Sequence, residues 1–257
     1  MSKRFICLLL AAVLCFSLCG CGGGKYNIVK SLADCEYSIG FRNGDSNYHY
    51  IDCAIKELNA DGTIDALAKK WFGDSGAVHF ASDKDALAAY GYIAPRTFII
   101  GVDLESFPMC YKMGEEYQGF DIELAKKVCE KLGWTLKIQP ISSEDVYVEL
   151  NSGNIDCAWG GVIMDPTSTN YTILETYMST EYVLASKDTS FIRNKTLYMG
   201  VSQTYVDLLE ANESVQNKLG QITRVQGGAA DFFGYLDKGD CDLILTTAAA
   251  VNYYNSN

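Results

Sequence analysis

Short apolar runs alternate along this chain with segments in which apolar residues recur every three or four positions. The run at residues 98–102 is typical of a buried strand, and the apolar positions of residues 121–132 share one helical face. Asp121 is a suitable N-cap for that helix, and Gly133 is a suitable stop. The pattern predicts a strand, a polar loop and a helix, with the loop at the strand's carboxyl end, where open α/β sheets bind ligands.

The same alternation of strands and helices is predicted along most of the chain. The predicted strands cover residues 26–29, 37–42, 98–102, 135–139, 155–159, 182–186, 197–201, 222–225 and 242–245. The predicted helices lie around residues 51–58, 63–71, 121–132, 144–150, 205–211 and 230–236, and one more begins near Thr247. Strands that alternate with helices of about a dozen residues indicate parallel sheets and an α/β fold.

The first residues carry the features of an export signal. Lys3 and Arg4 precede an apolar stretch at residues 5–18, which is shorter than the roughly 20 residues that a transmembrane helix needs. We therefore expect residues 1–20 to be a cleaved signal peptide.

A lipid anchor is expected directly after that signal. Leu18-Cys19-Gly20-Cys21 is similar to a bacterial lipobox, in which cleavage precedes the second cysteine and lipid is attached to its sulfur. We expect Cys21 to be lipidated and residues 21–25 to form a glycine-rich tether at the outer face of the cell membrane. An ordinary cleaved signal without lipid is the alternative.

The charge of the chain limits its partners. The formal net charge is −11, and removal of the signal would leave 19 basic against 32 acidic residues, a net charge of −13. Binding to nucleic acid requires a basic face, so this balance argues against a nucleic-acid partner. It argues equally against broad adhesion to anionic lipid.

The cysteines do not indicate a metal site. Four of the ten lie at Cys7, Cys15, Cys19 and Cys21, and the other six form no C-x-x-C pair. Only His49 and His79 are available as imidazole ligands, so no metal and no other cofactor is expected. We expect the six remaining cysteines to be mostly free thiols, although disulfide pairing in one of fifteen arrangements is the alternative.

Three groups of motifs resemble bacterial extracellular solute-binding proteins of the polar-amino-acid group, which serve ABC importers. They cover residues 101–103, 107–109 and 119–125; residues 150–156; and residues 37–42, 58–64 and 70–73. The resemblance spans nearly the whole chain after the signal. It implies the type II periplasmic-binding-protein fold, in which two α/β lobes are joined by a hinge of two crossing strands and hold a solute in the cleft between them.

The order of these motifs differs from that of the family. The segment at residues 26–73 resembles the family's closing segment, but it precedes the family's opening strand, which begins near residue 97. Residues 249–255 would continue naturally into residues 24–29, which indicates a circular permutation. A fragment of a tandem array or a misassembled gene is the alternative.

The permutation changes the expected domain boundaries. Lobe 1 would be continuous, at residues 36–185. Lobe 2 would be split into residues 26–35 and 186–257, so the lipid anchor would be attached to this lobe.

The resemblance also implies that the usual amino-acid clamp is absent. The family's carboxylate-binding arginine corresponds to Ser168, and its ammonium-binding aspartate corresponds to Thr246. A stacking aromatic corresponds to Ser143, and the Gly-Thr pair at a helix N-terminus corresponds to residues 202–204. A neutral or cationic solute would suit the altered pocket.

The ligand-binding candidates are Glu105, Ser106, Phe107, Trp159, Gly160, Gly161, Ser168, Gln203, Thr204 and Thr246. Glu105 and Asp165 near the cleft mouth would suit a cation. For Phe107, Met109 and Trp159 the alternative is a role in core packing, and for the two acidic residues it is a solvated surface.

These features predict a monomeric, lipid-anchored substrate-binding protein that closes on a small polar solute and delivers it to an ABC permease. No nucleophile, histidine and acid are grouped in the cleft segments, so no enzymatic activity is expected. The alternative is an orphan or sensory binding module that docks a partner protein without transport.

Overall fold

The computed structural model describes residues 25–191 and 193–257, which contain ten strands and eight helices. The expectations for residues 1–20 and for Cys21 lie outside the described residues. The strands are β1 Asn27–Arg42, β2 Thr97–Val102, β3 Tyr111–Met113, β4 Glu116–Gln118, β5 Thr135–Pro140, β6 Cys157–Ala158, β7 Tyr171–Ser186, β8 Lys195–Met199, β9 Leu219–Arg224 and β10 Leu243–Thr247. The helices are α1 Asn47–Ala60, α2 Thr63–Phe72, α3 Phe120–Leu132, α4 Val146–Ser152, α5 Gln203–Glu210, α6 Glu213–Gln216, α7 Ala229–Lys238 and α8 Ala248–Ser256.

Eight of the strands form one sheet in the order β5-β2-β6-β1-β7-β10-β8-β9. The centre of this sheet is the antiparallel pair of β1 and β7, each 16 residues long. Their register runs from Asn27 opposite Ser186 to Arg42 opposite Tyr171. Because each strand is long, the pair reaches from one half of the sheet to the other.

A group of three parallel strands is attached at each end of this long pair. The first strand group, β5, β2 and β6, is joined to β1 through the pairing of Gly40 with Ala158. The second strand group, β10, β8 and β9, is joined to β7 through the pairing of Ala185 with Ile244. The predicted α/β class is confirmed, and the two long strands connect the parallel groups.

The central strands are longer than the sequence pattern predicted. Residues 26–29 and 37–42 were expected to form two pieces, but they belong to the single strand β1. The intervening residues are rich in polar side chains, which obscured the alternation. Pairing with β7 keeps them extended, and the Ser31 hydroxyl donates a hydrogen bond to Glu181 at 2.6 Å across the two strands. Strand β7 is longer than the predicted segment 182–186 for the same reason.

Helix α3 begins differently from the expectation, although it ends at Gly133 as expected. Its N-cap is Gly119, with φ +131°, and the predicted cap Asp121 lies inside the helix with a completely buried side chain. A Cβ atom at Gly119 would lie 2.2 Å from the Met109 carbonyl oxygen, so only glycine fits there. The prediction that Asp121 caps the helix is therefore wrong.

The last helix packs against both halves of the sheet. Tyr253 of α8 stacks on Trp71 of α2 with ring centroids 5.8 Å apart, and its other edge faces Phe107 at 4.8 Å. The side chain of Asn255 accepts a hydrogen bond from the Tyr26 amide at 2.9 Å and donates one to the Tyr26 carbonyl oxygen at 2.8 Å. These two bonds place the start of β1 beside the end of α8.

Three further observations bear on the expectations from composition. The six cysteines of the described region are free thiols, and all except Cys53 are buried. Within residues 25–191 and 193–257 no helix is long and apolar enough to cross a bilayer. The same residues contain no group of three or more His, Cys, Asp or Glu side chains placed to hold a metal ion.

Candidate functional site

The carboxyl ends of strands from both groups converge on one side of the sheet. The loop after β2 carries Asp103 to Cys110, and the segment after β5 carries Ile141 to Asp145. From the second strand group come the residues after β8, Gly200 to Ser202, and the last residue of β9, Arg224. Parallel α/β sheets bind ligands at this edge, so the convergence defines the candidate site.

A cleft of about 690 Å³ lies between these segments. Its volume is within the range of about 300–1,000 Å³ that is usual for small-molecule sites. Its walls come from both strand groups: Asp103, Leu104, Glu105, Pro140, Ile141, Ser142, Glu144, Asp145, Glu149, Val201, Ser202, Gln203 and Arg224. Five of these residues carry a carboxylate and one carries a guanidinium group, so the cleft is strongly acidic.

A second cleft of about 510 Å³ lies on the other side of Glu105. Leu104, Glu105 and Val201 line both clefts, so these side chains form the partition between them. Phe107 lines the second cleft, but its ring is 5% exposed and packs against Tyr254 at 5.2 Å. Phe107 therefore presents only an edge to this space.

A small cavity of about 20 Å³ lies at the inner end of the site. Glu105, Ser106 and Thr204 line it, together with Tyr182 and Tyr205. The two tyrosine rings meet edge to face at 6.1 Å and fill the space between the two strand groups. About 10–15 Å³ is enough for one water molecule, so a larger solute fits only in the outer clefts.

Asp103 is held in place by its own loop and by the segment after β5. Its Oδ2 accepts a hydrogen bond from the Ser143 hydroxyl at 2.7 Å, and its Oδ1 accepts one from the Glu105 amide at 3.0 Å. Burial raises the pKa of Asp103, and the Ser143 hydroxyl opposes part of that increase because it stabilises the charged form. Asp103 is therefore a fixed carboxylate at the wall of the cleft.

Glu105 has a carboxylate oxygen that is not satisfied by protein. Its Oε2 is buried and has no hydrogen-bond partner among the described residues. Burial raises the pKa of Glu105, and the charge of Asp103 raises it further, whereas the nearby Ser202 backbone amide and the charge of Arg224 oppose part of this increase. A Cβ atom at Gly200 would lie 2.7 Å from this oxygen and 2.3 Å from the Tyr205 ring, so the glycine allows Glu105 to reach the second strand group.

A buried network supports the loop from below. The Ser106 hydroxyl donates a hydrogen bond to the Gly161 carbonyl oxygen at 2.6 Å, and the Gly161 amide donates one to Asp121 Oδ2 at 2.8 Å. The Tyr177 hydroxyl lies 2.7 Å from both oxygens of the same carboxylate. Burial raises the pKa of Asp121 to about 7. Asp121 thus connects β7, helix α3 and the two loops at the site.

The structure brings five of the predicted site residues to the cavities. Glu105 lines all three spaces, and Gln203 lines the main cleft, where its amide also donates a hydrogen bond to Asp207 at 2.8 Å. Ser106 and Thr204 line the small cavity, and Phe107 lines the second cleft.

The other predicted site residues do not line these three spaces. Trp159 is completely buried in the core, and Gly160 and Gly161 lie beneath the loop, where the Gly160 carbonyl oxygen accepts the Asp103 amide at 2.9 Å. Ser168 lies in a turn in which its hydroxyl accepts a hydrogen bond from the Asn170 amide at 3.2 Å. Thr246 pairs with Val183 within the sheet.

Several cleft residues were missed by the sequence reasoning. Glu144, Asp145 and Glu149 follow β5, and Arg224 ends β9. Their positions near the carboxyl ends of parallel strands are a local signal for ligand binding, but the sequence does not show that the segments at β5 and β9 converge on one cleft.

Comparison with known proteins shows a match to one protein family. The model of the bacterial extracellular solute-binding proteins, family 3, matches residues 98–252. The arginine-binding extracellular protein of Bacillus subtilis (strain 168) is 26% identical over 100 residues, a match that covers 38% of this chain and 39% of that relative.

Solved structures give partial superpositions. The substrate-binding protein of an ABC uptake transporter from Streptococcus pneumoniae, with bound histidine, is 28% identical with a TM-score of 0.45, covering 62% of this chain and 68% of that one. An ancestral arginine-binding protein bound to arginine is 19% identical with a TM-score of 0.45, covering 62% and 73%.

Proposed function

This chain belongs to the bacterial extracellular solute-binding proteins of family 3, and we propose that it captures a small polar solute and delivers it to an ABC importer. The observation that carries this proposal is the cleft of about 690 Å³ whose walls come from both strand groups. A solute held there touches both halves of the molecule, which is the requirement for a receptor that closes on its ligand.

The closing motion would occur about the two long central strands. β1 and β7 are the strands that connect the two parallel groups, so bending within them would move one group relative to the other. Contacts across the cleft favour the closed form: the Ser202 hydroxyl lies 3.4 Å from Glu144 Oε1, and Glu105 reaches Gly200. The lobe boundaries expected from the sequence, residues 36–185 and 26–35 with 186–257, remain part of this proposal, although residues 182–185 of β7 pair with β10 of the second strand group.

The proposed ligand contacts are those predicted residues that line the outer clefts and their partition. Glu105 and Gln203 would contact the solute, and Ser106, Phe107 and Thr204 would shape the inner end of the site. In this conformation Trp159, Ser168 and Thr246 would act through packing and loop structure. Gly160 and Gly161 would position the loop.

A circular permutation remains our interpretation of the chain order, and three observations support it. The family model matches residues 98–252, whereas the segment that resembles the family's closing part precedes it at residues 26–73. The backbone of Tyr26 is hydrogen-bonded to the Asn255 side chain, as expected if these segments are continuous in the family's usual order. Strand β1 also lies in the same sheet as β8 and β10.

We further propose that a lipid on Cys21 holds the protein at the outer face of the cell membrane, where a permease would receive the solute. The sequence Leu18-Cys19-Gly20-Cys21 motivates this location. Radiolabelled palmitate should be incorporated into the wild-type protein and not into Cys21→Ser. Incorporation into both proteins would refute Cys21 as the lipid site.

The binding function can be tested by titration calorimetry of the purified protein against amino acids, diamines, peptides and sugars. At least one solute should bind with a micromolar Kd, and Glu105→Gln should weaken that binding. Glu115→Gln is the matched control, because the Glu115 side chain is 96% exposed and lies outside the cleft. Failure of every solute class would overturn the proposal. Binding without transport, in cells that retain the importer, would favour a sensory module instead.

A further inference from the structure

The main cleft has an unbalanced set of charges for an amino-acid site. Asp103, Glu105, Glu144, Asp145 and Glu149 surround it, and Arg224 is the single cationic residue among its lining residues. An amino acid brings a carboxylate that must be placed near a cation or near free amide groups. In a cleft with this lining, that carboxylate would meet like charge.

The main cleft offers a ligand carboxylate one cation, Arg224, and that cation is already partly engaged. Ser168 stands where the family resemblance implies an arginine, and residues 160–186 contain no Lys or Arg. Arg224 donates a hydrogen bond through Nη2 to the Val201 carbonyl oxygen, so part of its guanidinium group is already engaged by the cleft wall. The charge of Arg224 also acts on Glu105.

Glu105 supplies an observation that is independent of the number of acidic residues. Its Oε2 is buried at the partition of the two clefts without a hydrogen-bond partner in the described structure. A buried acceptor without a donor is costly, and an ammonium or guanidinium donor forms the strongest type of hydrogen bond to it. The site therefore favours a ligand that brings an N–H donor to this oxygen, and a cationic donor most of all.

We propose that the solute is a small organic dication without a free carboxylate, such as a diamine or a guanidino-amine. This inference rests on the proposed solute-binding function and specifies its substrate class. One cationic end would bind at Glu105 beside Asp103. The other cationic end would lie along the wall formed by Glu144 and Glu149. The attraction between this cation and the two carboxylates would hold the second end of the ligand, as a carboxylate clamp would hold an amino acid.

Two matched pairs of compounds test this inference, because the members of each pair differ by one carboxylate. Cadaverine is compared with lysine, and agmatine with arginine, by titration calorimetry on the purified protein. We expect cadaverine or agmatine to bind at least about tenfold more tightly than the corresponding amino acid, a difference of about 1.4 kcal/mol. Equal or tighter binding of both amino acids would overturn the inference while the proposed function stands.

Other outcomes also separate the two proposals. If all four compounds fail to bind and a neutral solute binds, the dication inference is wrong and the solute-binding function stands. If no solute class binds, both proposals fall.

Affinity for the preferred dication should decrease as KCl is raised from about 50 to 500 mM, because salt screens charge attraction. An affinity that does not depend on salt would also contradict the inference.

Variants locate the interaction in the cleft. Glu105→Gln should weaken cadaverine or agmatine binding by at least about tenfold, and Glu115→Gln should leave it unchanged. Arg224→Gln should strengthen binding of the dication, because it removes a like charge. If Arg224→Gln instead abolishes the binding of lysine or arginine, then Arg224 is a carboxylate clamp and the inference is wrong. Thermal melting of each variant shows whether it is folded.

Discussion

Glu105, in the loop after β2, and Asp121, in helix α3, are two carboxylates near the site, and their surroundings are opposite. Asp121 is completely buried, and both of its oxygens have donors, from the Tyr177 hydroxyl and the Gly161 amide. Glu105 is only partly buried, yet its Oε2 has no partner among the described residues. The first carboxylate is satisfied by the fold, and the second is left for a ligand.

The comparison shows why burial alone does not identify a binding residue. Burial raises the pKa of both groups, because a charge is less stable away from water. What distinguishes them is whether the protein supplies hydrogen-bond donors. Asp121 should therefore dominate stability, whereas Glu105 should dominate binding.

The largest expected effect comes from removing Asp121. Asp121→Ala leaves the Tyr177 hydroxyl and the Gly161 amide buried without an acceptor and creates a cavity, so we expect a loss of about 3–4 kcal/mol in the free energy of unfolding. Urea denaturation measures this loss. Asp145→Ala is the control, since Asp145 is exposed in the cleft wall and should change stability by about 0.5 kcal/mol or less. Equal losses in the two variants would show that a carboxylate of the buried network contributes no more to stability than one in the cleft wall.

The second prediction concerns pH. Because the pKa of Asp121 is raised to about 7 in the folded protein, the folded state holds its proton more tightly than the unfolded state does. The stability contribution is present at low pH and is lost as pH rises from about 4 to 7, at about 1.4 kcal/mol per pKa unit. Between pH 5 and pH 8 the wild type should lose about 3 kcal/mol more than Asp121→Asn.

Urea denaturation at the two pH values checks this difference, because the other titrating groups are shared by both proteins. The groups that face Asp121 are the Tyr177 hydroxyl, the Gly161 amide and the Trp159 side chain, none of which titrates in this range. An identical pH dependence in wild type and Asp121→Asn would mean that Asp121 is ionised throughout. Asp121 would then be a charged hydrogen-bond acceptor at both pH values.

Much of the fold was predictable from local patterns. Parallel strands alternating with helices, the stop at Gly133 and the helix that starts after Thr247 all follow from periodicity and from the residue types at helix ends. Thr247 accepts a hydrogen bond from the Ala250 amide at 3.2 Å, as an N-cap does. These features depend on neighbouring residues, so sequence alone carries them.

The parts that were not predictable depend on distant partners. The polar middle of β1 is extended because β7 pairs with it, and the predicted cap Asp121 turns inward because Tyr177 and Gly161 meet it there. Likewise Glu105 and Gln203 could be placed at the candidate site from their positions after strands, but the acidic wall at Glu144 and Glu149 depends on how two loops converge. Local spacing does not contain that convergence.

The third prediction tests the contact through which Glu105 reaches the second strand group. In Gly200→Ala the new methyl group would lie too close to the Tyr205 ring and to Glu105, so we expect a loss of about 1–2 kcal/mol in unfolding free energy. Gly91→Ala is the matched control, because Gly91 is exposed outside the helices and strands, its φ is not in the left-handed region, and no atom lies within 4 Å of the position of its new methyl group. Thermal or urea denaturation of the two variants should separate them. If Gly200→Ala is as stable as Gly91→Ala, the close approach of Glu105 to Gly200 does not hold in solution.

The smallest expected effect is a slight gain in stability, whereas the earlier substitutions reduce stability. Glu144 is exposed in an acidic wall, and its contact with the Ser202 hydroxyl is long, at 3.4 Å. Glu144→Gln removes one of several like charges and keeps the shape of the side chain, so the unliganded protein should change by about 0.5 kcal/mol or less, toward higher stability. The same substitution should weaken dication binding, because the charge that destabilises the empty cleft attracts the ligand. Urea denaturation of Glu144→Gln measures the effect of this carboxylate on stability, and calorimetry measures its effect on dication binding. A clear loss of stability would show that Glu144, like Asp121, supports the fold and is not a cleft residue left for a ligand.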